Sequence, residues 1–96
     1  VNADASADML ALLKAQTRTG KIPSGIPSGV ETANKTGELS AGDGLGVVEN
    51  DIAIVFDKEH PYVLCVLSNN IQNNSSAQET IQKISADVYQ YMTSRK

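Results

Sequence analysis

The residues in this 96-residue chain whose types and spacing best suit chemistry are Lys35-Thr36-Gly37, followed by Glu38. A lysine ammonium supplies a positive field and a neighbouring hydroxyl a directional hydrogen bond, a pair suited to a carboxylate. A glycine in extended chain removes the side chain that would hold a ligand off the backbone, so the ligand can lie along it as an added strand. Alone, the tripeptide is a weak signal, because an exposed strand with a lysine and a glycine at a bulge reads the same way.

Few other residues compete. His60 precedes Pro61 in a turn, and with one histidine and one cysteine no metal site is expected and no cofactor is implied. Cys65 lies inside an apolar run and reads as a small core residue; as the single cysteine it excludes an internal disulfide. Asp51 opens an apolar strand and, if buried, needs a hydrogen-bond partner, which reads as structure rather than catalysis. Tyr62, Tyr89 and Tyr91 read as core or rim.

The elements that must position these residues follow from periodicity and turn chemistry. Ala5, Met9, Leu12, Leu13 and Gln16 recur at helical spacing, predicting a helix over 4–16 capped by Asp4 or Ser6. The prolines and glycines of 21–29 form a compact loop. Strands are predicted over 30–39, 47–56 and 62–68, joined by a glycine-rich turn at 40–46 and a turn at 58–61. Asn69 to Asn74 reads as a solvated break. Ser76-Ala77-Gln78-Glu79 has the form of a capping box, and Ile81, Ile84, Val88 and Tyr91 continue the face of a helix over 76–93. Short connections make the strands antiparallel. The fold class is therefore α+β: a three-stranded antiparallel sheet flanked by an N-terminal and a C-terminal helix, within one domain spanning 1–96.

Ile52 to Phe56 and Val63 to Leu67 are apolar without alternation, so both faces of the sheet are expected to be covered. Two helices do not suffice for that. Self-association, or pairing with a further segment of the same protein, is the expectation.

The order of these parts carries a resemblance: Ile22-Pro23-Ser24-Gly25-Ile26-Pro27-Ser28-Gly29-Val30, then Lys35-Thr36-Gly37, a glycine-rich hairpin, Asn50-Asp51-Ile52-Ala53-Ile54-Val55-Phe56, Tyr62-Val63-Leu64-Cys65-Val66-Leu67 and a terminal amphipathic helix. Together these resemble the C-terminal part of class A β-lactamases and related penicillin-interacting serine hydrolases. The resemblance implies that Lys35, Thr36 and Gly37 form one wall of a cleft: Lys35 the electrostatic anchor, Thr36 the donor to the substrate carboxylate, Gly37 the residue that leaves room. The Glu38 backbone N–H falls where the family places an oxyanion-hole donor, with its side chain pointing elsewhere. The implied substrates are β-lactams or D-alanyl peptides, opened through an acyl-enzyme, and the implied location is extracytoplasmic.

Two departures bear on this. No serine is followed three residues later by a lysine, and Ser68-Asn69-Asn70 lies after the Lys-Thr-Gly motif, where the family's Ser-Asp-Asn would precede it; no catalytic residue is expected here, and the chain alone is expected to be inert. Glu49 stands before the Asn-Asp pair, near where many relatives carry a basic residue, and would oppose an anionic ligand if it faced the cleft. A D-alanyl-D-alanine peptidase fragment, a free-standing binding module and a structural domain with a chance Lys-Thr-Gly are the alternatives.

Bulk properties narrow the classes. Hydrophobic residues make up 41% and the formal net charge is −3, which argues against disorder and against a nucleic-acid partner. No run has the length of a membrane span, and the first residues show no signal-peptide pattern.

Overall fold

In the computed structural model, residues 2–39, 48–69 and 73–94 are described. Helix α1 (Ala3–Lys14) leads through a 3-10 turn (Ile22–Gly25) into strands β1 (Glu31–Leu39), β2 (Val48–Phe56) and β3 (Tyr62–Val66), and helix α2 (Asn74–Thr93) closes the chain. The strands form one antiparallel sheet in the order β1-β2-β3, so the α+β architecture matches expectation. The glycine-rich turn at 40–46 lies outside the described residues, as do residues 70–72 of the polar break.

The element ends depart from the sequence reading. The cap of α1 is Asn2, not Asp4 or Ser6; its side chain accepts the Ala5 N–H at 2.8 Å. The cap of α2 is Asn73, which accepts from Ser76 N, so the capping box at Ser76 and Glu79 does not form. The helix starts earlier because Asn74 and Gln78 side chains both donate to Glu49 on β2, holding the first turn in place. Strand β3 stops at Val66 instead of Ser68. There Ser68 N donates to the Asn50 side chain at 2.8 Å, and its hydroxyl pairs with Glu49 backbone, so side-chain bonds replace the ladder.

Register fixes the two faces of the sheet. Thr36 pairs with Asp51, Glu38 with Glu49 and Asn34 with Ala53, while Lys35 pairs with Ile52 and Gly37 with Asn50. The first set faces α2 and the 3-10 turn, where Ile22, Ala53 and Ile81 form the core against Leu64 and Val66. The turn and α2 approach closely. Ser85 Oγ donates to Ile22 O at 2.7 Å, and a Cβ on Gly25 would run into the Gln82 carbonyl and the Ala86 N–H. Only glycine fits there.

The opposite face is less covered. Helix α1 lies along β1 at the Phe56 end, with Lys14 Nζ 4.5 Å from the Phe56 ring centre. Beyond it Ile52 is 48% exposed and Val63 66%. The two helices of this chain thus do not cover both faces, as the sequence reading expected: α1 buries no residue of its own, and Met9 and Leu12 of its apolar stripe are exposed. Cys65, expected in the core, is exposed as well, because its register partner is Ile52 on this open face. No helix among the described residues is long and apolar enough to cross a membrane.

Candidate functional site

Strand alternation divides the Lys-Thr-Gly motif. Thr36 and Glu38 project to the α2 side; Lys35 and Gly37 project to the open face, where Lys35 is exposed and its ammonium donates back to the Thr36 carbonyl at 2.5 Å. A Cβ on Gly37 would touch nothing nearer than Asn50 at 3.8 Å, so packing within the chain does not demand a glycine there.

Thr36 and Glu38 instead border a recess of about 220 Å3 with Arg18, Gly20, Lys21 and Gln78. Glu38 lies directly opposite Glu49 in the register, two like charges on one face, an arrangement that opposes strand pairing. Lys21 resolves it. Its Nζ lies 2.9 Å from Glu38 Oε2 and 2.6 Å from Glu49 Oε1, and donates to Asn50 O at 2.9 Å. Lys21 is 3% exposed and Glu49 1%, so this is a buried ion pair. Asn74 and Gln78 of α2 donate to the other Glu49 oxygen. Arg18 reaches Glu38 Oε1 at 2.8 Å from the solvent side.

Burial works to raise the Glu38 carboxyl. The Lys21 hydrogen bond, the nearby Thr36 hydroxyl and the charges of Lys21 and Arg18 outweigh it and hold the group below its ordinary 4.5. The Thr36 hydroxyl is buried and has no partner of full hydrogen-bond geometry among the described residues. The Thr36 hydroxyl thus lies beside a carboxylate and two cations, where a charged acceptor would strengthen a hydrogen bond.

Beneath the recess, Asp51 is fully buried. Its carboxylate accepts Ile22 N at 3.0 Å and Asn34 Nδ2 at 3.1 Å, which ties the 3-10 turn to β1 and β2. Burial raises its pKa above 3.8 despite these bonds. The structural role expected for Asp51 is the one it has.

Glu49 was the residue expected to oppose a ligand if it faced the cleft. Its charge is instead taken up by Lys21, so it acts as a support for that lysine. Sequence reasoning passed over Lys21, Arg18 and Gln78. Lys21 sits just before a Pro-Gly loop, 17 residues from Glu38 and 28 from Glu49, and no local spacing signals that meeting. The other tyrosine–acid cluster lies at the far end of the sheet, where Asp57 accepts from Tyr89 OH at 3.1 Å and from His60 N at 3.1 Å. Among the described residues no group of three or more histidine, cysteine or acidic side chains is placed to hold a metal.

Solved structures share this fold. PBP-A superposes with a TM-score of 0.85 at 22% identity, covering 99% of this chain and 34% of its own. The ancestral class A β-lactamase of Gram-negative bacteria gives 0.79 at 21%, covering 95% of this chain and 34% of its own. A halotolerant bacterial β-lactamase gives 0.75 at 23%, over 97% and 35%. At such identities the likeness is one of fold, and the chain spans about a third of the length of each of these structures. No curated protein matches. The profile of the β-lactamase enzyme family matches residues 1–92, taking in the recess, the Lys-Thr-Gly strand and nearly all of α2. By that match, and with the fold to support it, the chain belongs to the β-lactamase enzyme family.

Proposed function

We propose that this chain supplies the carboxylate-binding wall of a serine β-lactamase-like hydrolase, and that the acylated serine lies on a segment outside these 96 residues. The observation that carries this reading is the buried Thr36 hydroxyl, which lies beside the Glu38 carboxylate without a full hydrogen bond, at a recess it shares with Lys21 and Arg18. A substrate carboxylate seated there takes one charge-assisted hydrogen bond from Thr36 and the field of the cations. Lys35 and Gly37, on the other face, then border the segment that brings the nucleophile, with Lys35 adding positive field at the reacting centre. The room at Gly37 and the exposed Ile52, Val63 and Cys65 support a partner segment on that side. The Glu38 backbone N–H serves as an oxyanion donor in this reading.

β-Lactams and D-alanyl peptides both present such a carboxylate, so the wall serves a β-lactamase or a D-alanyl-D-alanine peptidase alike. The same reading puts the protein outside the cytoplasm, where both substrates are met. The chain by itself is expected to leave a chromogenic cephalosporin intact and to take no covalent penicillin label. In the polypeptide that includes the nucleophile, Thr36→Val is expected to lower kcat/KM for a carboxylate-bearing cephalosporin by roughly 10–100-fold, the worth of one hydrogen bond to a charged group. Its ester, lacking the charge, should be affected far less. Equal loss on acid and ester would refute a carboxylate contact at Thr36.

A further inference from the structure

The cations that line the recess are already engaged by an anion of the chain's own. Glu38 Oε1 meets Arg18 at 2.8 Å and Oε2 meets Lys21 at 2.9 Å, so one carboxylate spans both cations beside the Thr36 hydroxyl. These are the groups that a substrate carboxylate would use. Glu38 reaches them from the same face of β1 as Thr36, two residues away.

We propose that Glu38 is a specificity-determining residue whose carboxylate occupies the substrate-carboxylate position as an internal counter-ion and is displaced when an anionic ligand binds. The inference rests on the carboxylate-wall reading of the recess and concerns which carboxylate holds it.

The geometry makes displacement feasible for Glu38 and not for the other acid. The Glu38 side chain is 28% exposed and its arm ends at the mouth of the recess, so it can swing to water. Glu49 is 2% exposed at its side chain and is held by Lys21, Asn74 and Gln78, so it stays. Once Glu38 leaves, Lys21 remains balanced by Glu49, and Arg18 and Thr36 are freed for the ligand. A carboxylate thus exchanges for a carboxylate with no change in the net charge of the recess. The consequence is selectivity: a ligand must hold the recess better than a tethered glutamate whose effective concentration is high. Weak monoanions are excluded, and ligands with further contacts along the β1 backbone are favoured.

The test titrates the chain and its Glu38→Gln variant with N-acetyl-D-alanyl-D-alanine and with the C-terminal amide of the same peptide. The acid is expected to bind the variant about tenfold more tightly than the parent, of the order set by the loss of a partly exposed ion pair to two cations. The amide should bind both equally weakly. Equal affinity of the acid for parent and variant, with the acid still preferred over the amide, overturns the inference and leaves the carboxylate wall standing. No preference for acid over amide in either protein removes the wall and the inference together. A second measurement needs no variant. In chain labelled with 13C at glutamate Cδ, saturation with the acid at about pH 6, well above the ordinary carboxyl range, should move the Glu38 resonance toward that of a solvated carboxylate. A Glu38 resonance that stays in place while the acid binds refutes displacement.

Discussion

The two ends of the β1–β2 pair hold their charges differently. At one end Lys21, Glu49 and Asp51 are buried among hydrogen bonds drawn from β1, β2, α2 and the 3-10 turn. At the other end Asp57, His60 and Tyr89 meet nearer the surface, with Asp57 and His60 3.8 Å apart and only partly buried. Charges in water cost little to keep or to lose, whereas buried ones are stable only as a complete set. The more constrained end is therefore the one that carries the proposed carboxylate wall, and the cluster at the other end has the features of a turn clamp.

The largest expected effect breaks the buried set. Lys21→Met leaves Glu49 buried without its counter-ion and facing Glu38, and should destabilise the chain by about 3–5 kcal/mol in chemical denaturation. Pairing it with Glu49→Leu should restore most of that loss, since an apolar pair of similar volume can replace a buried ion pair. If the double variant is as unstable as the single, the burial of an unpaired charge is not the cause.

A smaller effect separates the carboxyls by pH. The Glu38 pKa is lowered from 4.5, so its contribution is present above that value and is lost as pH falls through its folded pKa. Asp51 has the opposite sign: its pKa is raised from 3.8, so its contribution is fully present below that value and is lost as pH rises through its folded pKa. Glu38→Gln should therefore lose less thermal stability than the parent on acidification from about pH 5 to about pH 3, because the contribution of the ionised Glu38 is already absent from it. An unchanged pH slope would show that Glu38 is not held in its ionised form by the cations.

The smallest effect is expected at the far end. Tyr89→Phe removes the hydroxyl that bonds Asp57, and its melting curve should overlie that of the parent, since water replaces the bond. A marked loss there would erase the contrast between the two ends.

Much of the fold was legible because β-branched runs and punctuating turns specify strands locally: Ile52 to Phe56 is strand as read, and the strand read over 62–68 forms over Tyr62 to Val66. The cap of α2 was not, because the choice of Asn73 over Ser76 is made by Asn74 and Gln78 bonding across to Glu49, a contact distant in sequence. Cys65 was misplaced for a related reason: an apolar run does not reveal that one side of its strand lacks a cover in this chain. At the site, Thr36 and Glu38 were singled out from the motif, yet the cations that accompany them come from the loop before β1, and only the folded register brings them together.

The tight seat of Gly25 on α2 has a consequence for the chain's architecture. Because the 3-10 turn is fastened to the middle of the last helix by Gly25 and by the Ser85 bond to Ile22, the loop bearing Lys21 inherits its position from residues some 60 further along. A chain clipped before α2 would therefore carry every residue of the Lys-Thr-Gly strand and lack the support that seats Lys21 beside it.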